Sequence, residues 1–189
     1  MKVCVFCSSS EYVDEQYFQE ARDLGLLISG NQFELIYGGT DIGLMGALAR
    51  STKQGNGKIT GVIPQLIYDK GIAFTEADNL LVTRDLRERK ALMEKNSDAF
   101  IALPGGFGTL EELLEMITLK QLQLHHKPIV VINTAGYFNS LCSFFDHLYH
   151  QQFVSERFRG IFHFVSNSWE AIQYVKSYQP QMKGDKWSK

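Results

Sequence analysis

Short apolar segments, rich in β-branched residues, alternate along this chain with longer segments of helical periodicity. Such an alternation is typical of a parallel sheet whose strands are connected by crossover helices. The predicted strands are Lys2–Cys7, Phe33–Tyr37, Lys58–Ile63, Asn79–Thr83, Ala99–Leu103, Ile129–Ile132 and Ile161–Val165. The predicted helices are Asp14–Ser29, Leu44–Gln54, Leu86–Asn96, Leu110–Leu122, Tyr137–Gln151 and Ser168–Ser177.

The alternation continues from residue 2 to about residue 177 without a linker or a change of composition. A chain of 189 residues is also a comfortable length for one domain. We therefore predict a single Rossmann-like α/β domain, a parallel sheet flanked by helices, over residues 1–178. The polar, aperiodic residues 179–189 are predicted to form a flexible tail.

Charge and composition exclude several partners. With 19 basic against 21 acidic residues the net charge is -2, and no basic stripe is present to bind a nucleic-acid polymer or an acidic membrane. The first apolar segment is too short for a signal peptide, and no apolar run approaches the roughly 18 residues of a membrane span. The three cysteines, an odd number, suit a reducing compartment, so we expect a cytoplasmic protein.

Two predicted strands end in glycine-rich turns that open helices: Tyr37 leads into GGTDIGLMG, and Leu103 into PGGFGTLEE. Ligands of open parallel sheets bind beyond the carboxyl ends of the strands, and a helix start offers free amides to a phosphate. A single glycine pair could equally serve a tight turn. Seven glycines in two such turns favour one anion-binding pocket; they are Gly38, Gly39, Gly43, Gly46, Gly105, Gly106 and Gly108.

Other phosphate-binding motifs do not fit. The first strand runs into Cys7 and three serines, without the G-x-G-x-x-G of dinucleotide-binding proteins. The nearest approach to a P-loop, Gly57-Lys58-Ile59, lacks the hydroxyl residue that would hold magnesium. A hydride-transferring enzyme and a P-loop NTPase are therefore both disfavoured.

Cysteine and histidine residues give no metal signature. Cys4 and Cys7 form a C-x-x-C, but their spacing along a strand directs the side chains to opposite faces of the sheet, which favours a structural role. His147 and His150, three residues apart on a predicted helix, lack the further ligand pair of a zinc site, as do His125 and His126. We predict neither a metal nor a cofactor.

Residues 84–118 contain the side chains best suited to catalysis or binding. The charged residues Arg89 and Glu112 in this segment could also have purely local roles. Thr109 and Glu112 fit a T-x-x-E capping box, in which Glu112 would cap only its own helix. Arg89 could pair with Asp85, one turn earlier. Local sequence leaves these alternatives open.

The string PGGFGTLEE matches the PGGxGTxxE motif of the LONELY GUY family, often labelled lysine decarboxylase-like. Residues 89–93, RKALM, match its upstream RKxxM. The chain also resembles the family in YGGTDIGLMG, EELLEMIT and KPIVVINTAGYFNSL, so the resemblance spans most of its length.

The resemblance implies a homodimeric enzyme that hydrolyses the N-glycosidic bond of an adenosine 5′-monophosphate, often N6-substituted, to free base and ribose 5-phosphate. Glu112 would stabilise the positive charge of the sugar and accept a proton from water. We expect its position in the first helical turn to favour the ionised form. Arg89 would supply the cation that a carboxylate needs beside a phosphate.

The remaining site residues follow from the same motifs. Gly105, Gly106, Gly108 and Thr109 would hold the 5′-phosphate. Other substrate contacts are expected from Lys90, Met93, Thr118, Gly39, Gly43 and Ser8, with Met93 towards the base. The chain departs from the family at Thr40 and Ser8, where glycine is common, and no acidic residue upstream of Arg89 aligns without a shift.

Two other functions are alternatives to a hydrolase. A non-catalytic nucleotide sensor or carrier would use the same turns but would not require a carboxylate beside a phosphate. A decarboxylase is rejected, because no lysine lies in a pocket-forming turn suited to pyridoxal phosphate.

Overall fold

The computed structural model describes residues 1–180, which form a seven-stranded sheet with helices on both faces. All six strand pairings are parallel, as the alternation predicts. The predicted Rossmann-like α/β fold is therefore confirmed. Of the predicted tail 179–189, residues 181–189 lie outside the described part of the chain.

The strands are β1 (Lys2–Phe6), β2 (Glu34–Tyr37), β3 (Lys58–Pro64), β4 (Asn79–Thr83), β5 (Ala99–Ala102), β6 (Ile129–Ile132) and β7 (His163–Val165). The α-helices are α1 (Glu15–Gly30), α2 (Gly43–Gln54), α3 (Gln65–Tyr68), α4 (Leu86–Lys95), α5 (Phe107–Gln121), α6 (Asn139–His150) and α7 (Ser168–Ser177). Short 3-10 turns cover Thr134–Gly136 and Glu156–Phe158.

Two helices begin more than one residue from the predicted position. Helix α5 starts three residues before Leu110, because Gly106 takes the cap position and its carbonyl accepts the hydrogen bond of the Leu110 amide at 3.0 Å. Helix α6 starts two residues after Tyr137, because Ala135 and Gly136 have positive φ angles and hold a turn in front of it. The short helix α3 had no periodic signal.

The sheet order is β4-β3-β2-β1-β5-β6-β7. Strands β1 to β4 therefore extend the sheet in one direction. Strand β5 returns to the side of β1, and β5 to β7 extend the sheet in the other direction. Strands β1 and β5 are neighbours at this reversal, with Val3 paired to Ala99 and Phe6 to Ala102. Loops that leave adjacent strands at a reversal diverge to opposite faces and open a crevice between them.

Two hydrophobic clusters cover the two faces of the sheet. Val3, Val5 and Cys7 belong to one cluster, and Cys4 and Phe6 to the other, as expected for alternating residues of a strand. The predicted placement of Cys4 and Cys7 on opposite faces is confirmed. Burial raises the pKa of both thiols well above the ordinary range, which agrees with a structural role.

None of the helices within residues 1–180 is long and apolar enough to cross a membrane.

Helices α1 and α2 pack closely through Gly25. A Cβ atom at this position would lie 2.7 Å from the Leu48 carbonyl oxygen and 2.9 Å from the Thr52 nitrogen, both backbone atoms of α2. At Gly30, the last residue of the same helix, a Cβ would meet no atom within 4 Å. Only the first position therefore requires glycine for packing.

We expect Gly25→Ala to lower the free energy of unfolding by about 1–3 kcal/mol, since the two helices must separate. Gly30→Ala brings the same change of helix propensity without the contact and should leave stability unchanged or slightly raised. Urea denaturation of both variants measures the difference. Equal stability of the two would contradict the close packing of α1 on α2.

Candidate active site

A cleft of about 430 Å³ opens at the carboxyl edge of the sheet, at the reversal between β1 and β5. Its walls come from the loops after β1, β2, β3 and β5 and from one side of α4. The volume falls in the range of small-molecule sites in proteins. The predicted pocket between the two glycine-rich turns is present.

The turn after β5 contributes Gly106, Gly108 and Thr109 to the cleft. Helix α5 starts at Phe107, so the amides of its first turn lack helical partners and carry the positive end of the helix dipole. Gly105 lies just behind this surface, where a Cβ would overlap the Thr109 side chain. Three of the four expected phosphate-binding residues therefore line the cleft, and the fourth makes room for one of them.

The loops after β1 and β2 form the opposite wall. Ser8, Gly38 and Thr40 line the cleft, while Gly39 and Gly43 lie behind it and have positive φ angles of 80° and 57°. A Cβ at Gly43 would collide with the backbone of Ser9 and Ser10. Gly39 and Gly43 thus shape and support the wall without lining it.

Arg89 and Glu112 meet inside the cleft. The Arg89 Nη1 donates to Glu112 Oε1 at 2.5 Å, and its Nε donates to the Val62 carbonyl at 3.0 Å. The two side chains are only 11% and 8% exposed. A buried pair of this kind is the candidate catalytic centre.

This pairing decides between the local alternatives. The Asp85 carboxylate caps α4 by accepting from the Arg87 and Glu88 amides, so Arg89 is paired with Glu112 instead. The expectation that Glu112 lies in the first turn of its helix is wrong. Because α5 begins at Phe107, Glu112 is in the second turn, and its carboxylate faces Arg89.

The electrostatics of Glu112 also differ from expectation. Burial raises the pKa of its carboxyl above the ordinary value, and the Arg89 guanidinium opposes that rise. The helix start was expected to keep this carboxylate ionised, but an ion pair with Arg89 provides the favourable charge instead. Because its pKa is raised, the Glu112 carboxylate is a stronger base than the carboxylate of an exposed glutamate.

A glycine makes room for the arginine. At Gly38 a Cβ would overlap the Arg89 guanidinium and approach the Met45 sulfur at 2.6 Å. The β2 turn and α4, far apart in sequence, are therefore matched in shape around the buried pair.

Three expected contacts lie elsewhere. Lys90 forms ion pairs with Glu111 and, at 2.7 Å, with Glu115, on the outer side of α5. Met93 is 1% exposed within the hydrophobic cluster that contains Cys4. Thr118 is two turns beyond Glu112 on α5, where its hydroxyl donates to the Leu114 carbonyl at 2.8 Å, so none of the three lines the cleft of this chain.

An apolar wall was not predicted from sequence. It is formed by Ile42, Met45, Pro64, Ile67, Ile72 and Leu86, which line the same cleft as Ser8 and Thr109. Ile67 and Ile72 lie in residues 65–74, which have neither helical nor strand periodicity, so the sequence offered no signal for this part of the wall.

Within residues 1–180, no three histidine, cysteine, aspartate or glutamate side chains are grouped to hold a metal. His125 is buried, with Nε2 3.0 Å from the Met116 carbonyl, and burial lowers its pKa to about 4. Its imidazole is therefore neutral near pH 7 and structural.

The reversal point, the free amides of α5 and the buried carboxylate define a Rossmann-like protein with a site for an anionic small molecule. The profile of the family described as "Possible lysine decarboxylase" matches residues 45–175. Cytokinin riboside 5′-monophosphate phosphoribohydrolase LOG5 of Arabidopsis thaliana is 40% identical over 183 residues, covering 97% of this chain and 80% of that protein. The chain belongs to this family, the LONELY GUY family.

Two further similarities are consistent with this membership. The LOG3 phosphoribohydrolase of the same plant is 40% identical over 179 residues, covering 95% of this chain and 83% of that protein. The molybdenum cofactor carrier protein of Chlamydomonas reinhardtii superposes with a TM-score of 0.72 at 23% identity, covering 93% of this chain and 95% of that one. The second likeness shows the shared fold alone.

We expect Arg89→Met to destabilise the protein by about 3–5 kcal/mol at neutral pH, because it leaves a buried carboxylate unpaired. The folded-state pKa of Glu112 would rise further above that of the unfolded chain. The loss of stability caused by Arg89→Met is therefore largest at a pH above the folded-state pKa of Glu112, and it becomes smaller as the pH falls through that pKa.

Thermal unfolding from pH 4 to pH 8 measures this effect. Arg87→Met, which removes an exposed cation from the same helix, is the matched control and should show a small, pH-independent change. A deficit for Arg89→Met that does not depend on pH would contradict a raised pKa at Glu112.

Proposed function

We propose that this protein hydrolyses the N-glycosidic bond of an N6-substituted adenosine 5′-monophosphate, giving free base and ribose 5-phosphate. This is the activity named for its 40%-identical relatives. The observation that carries the proposal is the buried Arg89–Glu112 pair, which lies beside the glycine-rich turn in one cleft.

The 5′-phosphate binds at the start of α5 in this proposal. Unpaired amides and a helix dipole favour a phosphate dianion there, and the Thr109 side chain lines the same part of the cleft. Glu112 follows one turn further along the helix. When the 5′-phosphate is held at this turn, the attached ribose can therefore place its anomeric carbon near the carboxylate.

The reaction breaks the bond between the anomeric carbon and the base nitrogen. The bonding electrons leave with the base, and positive charge develops on the sugar as in other glycoside cleavages. The Glu112 carboxylate stabilises that charge and accepts a proton from the attacking water, whose oxygen bonds to the anomeric carbon. The leaving base nitrogen takes up one proton from solvent, and Glu112 then releases to solvent the proton that it accepted, so the net reaction consumes one water.

Arg89 has two roles in this mechanism. Its guanidinium opposes the rise in the pKa of Glu112 that burial causes, and the Val62 carbonyl accepts a hydrogen bond that fixes the guanidinium in place. The positive charge also compensates the negative charge of a phosphate bound close to a carboxylate.

The apolar wall supports a base with an apolar substituent. In this proposal the base of the nucleotide lies against apolar side chains of the same cleft, among them Ile67, Ile72 and Leu86. A substituent on N6 would there exchange water for apolar contacts.

A non-catalytic sensor or carrier is not favoured. The molybdenum cofactor carrier shares the fold at only 23% identity, which carries no argument about ligand or activity. Burying a carboxylate beside an anion site costs binding energy, and a carrier gains nothing from it.

We expect Glu112→Gln to reduce base release by about 10²- to 10⁴-fold, since the amide cannot accept the proton. The glutamine carbonyl can still accept the Arg89 hydrogen bond, so the fold is retained. Release of free base from isopentenyladenosine monophosphate and from AMP measures the effect.

The matched control is Glu111→Gln, at the neighbouring, exposed position that pairs with Lys90 outside the cleft. It should retain nearly full activity. Base release by Glu112→Gln at the level of this control would remove Glu112 from the mechanism.

We further propose that the protein is a cytoplasmic homodimer. An apolar groove between α5 and α6, lined by Leu114, Ile117, Thr118, Phe145 and Leu148, supports a second copy as its occupant. Leu114 is 42% exposed at this groove in the single chain. The three cysteines, all free, agree with a reducing compartment.

Sedimentation of the wild-type protein should give twice the chain mass of 21.5 kDa. Leu114→Glu should shift the protein towards monomer, because a buried carboxylate in an apolar interface is costly. Leu26→Glu, at a similarly exposed position on α1, is the control and should sediment as wild type. A monomeric wild-type protein would refute the dimer.

A further inference from the structure

The phosphate turn is held from outside by a tyrosine. The Tyr137 hydroxyl donates to the Gly105 carbonyl at 2.8 Å. Strand β6 lies next to β5 in the sheet, so the loop that follows β6 reaches the glycine-rich turn from the neighbouring strand. Tyr137 belongs to neither motif that carries the proposed chemistry.

The hydrogen bond fixes the orientation of one peptide group. No cis peptide bond occurs in residues 1–180, so the Gly105 carbonyl and the Gly106 N–H point in opposite directions. With the carbonyl directed at Tyr137, the Gly106 N–H is directed away from it. Gly106 lines the cleft, whereas Gly105 does not.

Without this bond the peptide would have unusual freedom. Both flanking residues are glycines, which have access to backbone conformations closed to other residues. A Cβ at Gly106 would meet no atom within 4 Å, so there is open space on this side of its α-carbon. A rotated peptide would present a carbonyl oxygen to the cleft, and a carbonyl repels a phosphate.

The tyrosine itself is fixed. Its ring packs edge-on against Tyr17, with 5.7 Å between ring centroids, and against Phe138, with 4.8 Å. The loop that presents it is closed by the Asn133 side chain, whose Oδ1 accepts from the Phe138 amide at 2.7 Å. A donor held in this way can select one peptide orientation.

We infer that Tyr137 is a positioning residue that orients the Gly105–Gly106 peptide so that its N–H faces the phosphate of the ligand. This inference rests on the proposed function for the location of the phosphate. It assigns to Tyr137 no contact with the substrate and no role for the base end of the ligand.

The test compares two ligands in the Glu112→Gln background, where hydrolysis is suppressed. Calorimetry measures the Kd of AMP and of adenosine, which lacks the phosphate. We expect Tyr137→Phe to weaken AMP binding by about 3- to 10-fold, the effect of one lost hydrogen bond, and to leave adenosine binding unchanged. Tyr17→Phe removes a hydroxyl from the adjoining ring and should change neither Kd.

Each outcome is informative. Equal weakening of AMP and adenosine by Tyr137→Phe would indicate a general structural role and overturn the inference. So would an unchanged AMP Kd, or a Glu112→Gln chain with Tyr137 intact that binds AMP no better than adenosine. Failure of the proposed function is distinguishable, because it appears as AMP binding without base release in the otherwise wild-type protein. In active enzyme, Tyr137→Phe should raise KM more than it lowers kcat.

Discussion

The removal of two opposite charges from water is the constraint on which the rest of the site depends. A buried carboxylate or guanidinium is costly unless its partner and its remaining hydrogen bonds are in place. In this protein Glu112 on α5 meets Arg89 on α4, and the carbonyl of Val62 in β3 satisfies the outer side of the guanidinium. Gly38 leaves the space that the arginine occupies. Four segments of the chain must therefore fit together around one ion pair.

The glycines of the two turns have different structural roles around this ion pair. Gly106 and Gly108 border the cleft, where a bare backbone lets amides approach a ligand. Gly43 and Gly105, and also Gly38 at the border of the cleft, make room for neighbouring atoms, and this close packing supports the surface that the other glycines expose. A single sequence motif thus combines residues that can contact a ligand with residues that support them.

Much of this arrangement could be predicted from the sequence, because strand and helix periodicities are local. The parallel sheet, the two turns and the positions of Cys4 and Cys7 follow from spacing along the chain alone. The pairing of Arg89 with Glu112 does not, since Asp85 and a capping box offered each residue a nearer partner. Tertiary burial overrides those local options.

The remaining differences have the same origin. Met93 and Thr118 share helices with Arg89 and Glu112, but the direction in which each side chain points depends on how the helix packs. Ile67 and Ile72 of the apolar wall lie in a segment without periodicity, and Tyr137 reaches its partner across 32 positions of sequence. Such contacts are set by the order of strands in the sheet.

That strand order gives the ion pair a further meaning. Arg89 is anchored to β3, in the half of the sheet that extends from β1 to β4, whereas Glu112 follows β5, the first strand of the other half. The ion pair thus connects the two halves of the sheet. Neither half alone contains both charges, so the ion pair can form only once the two halves of the sheet have docked.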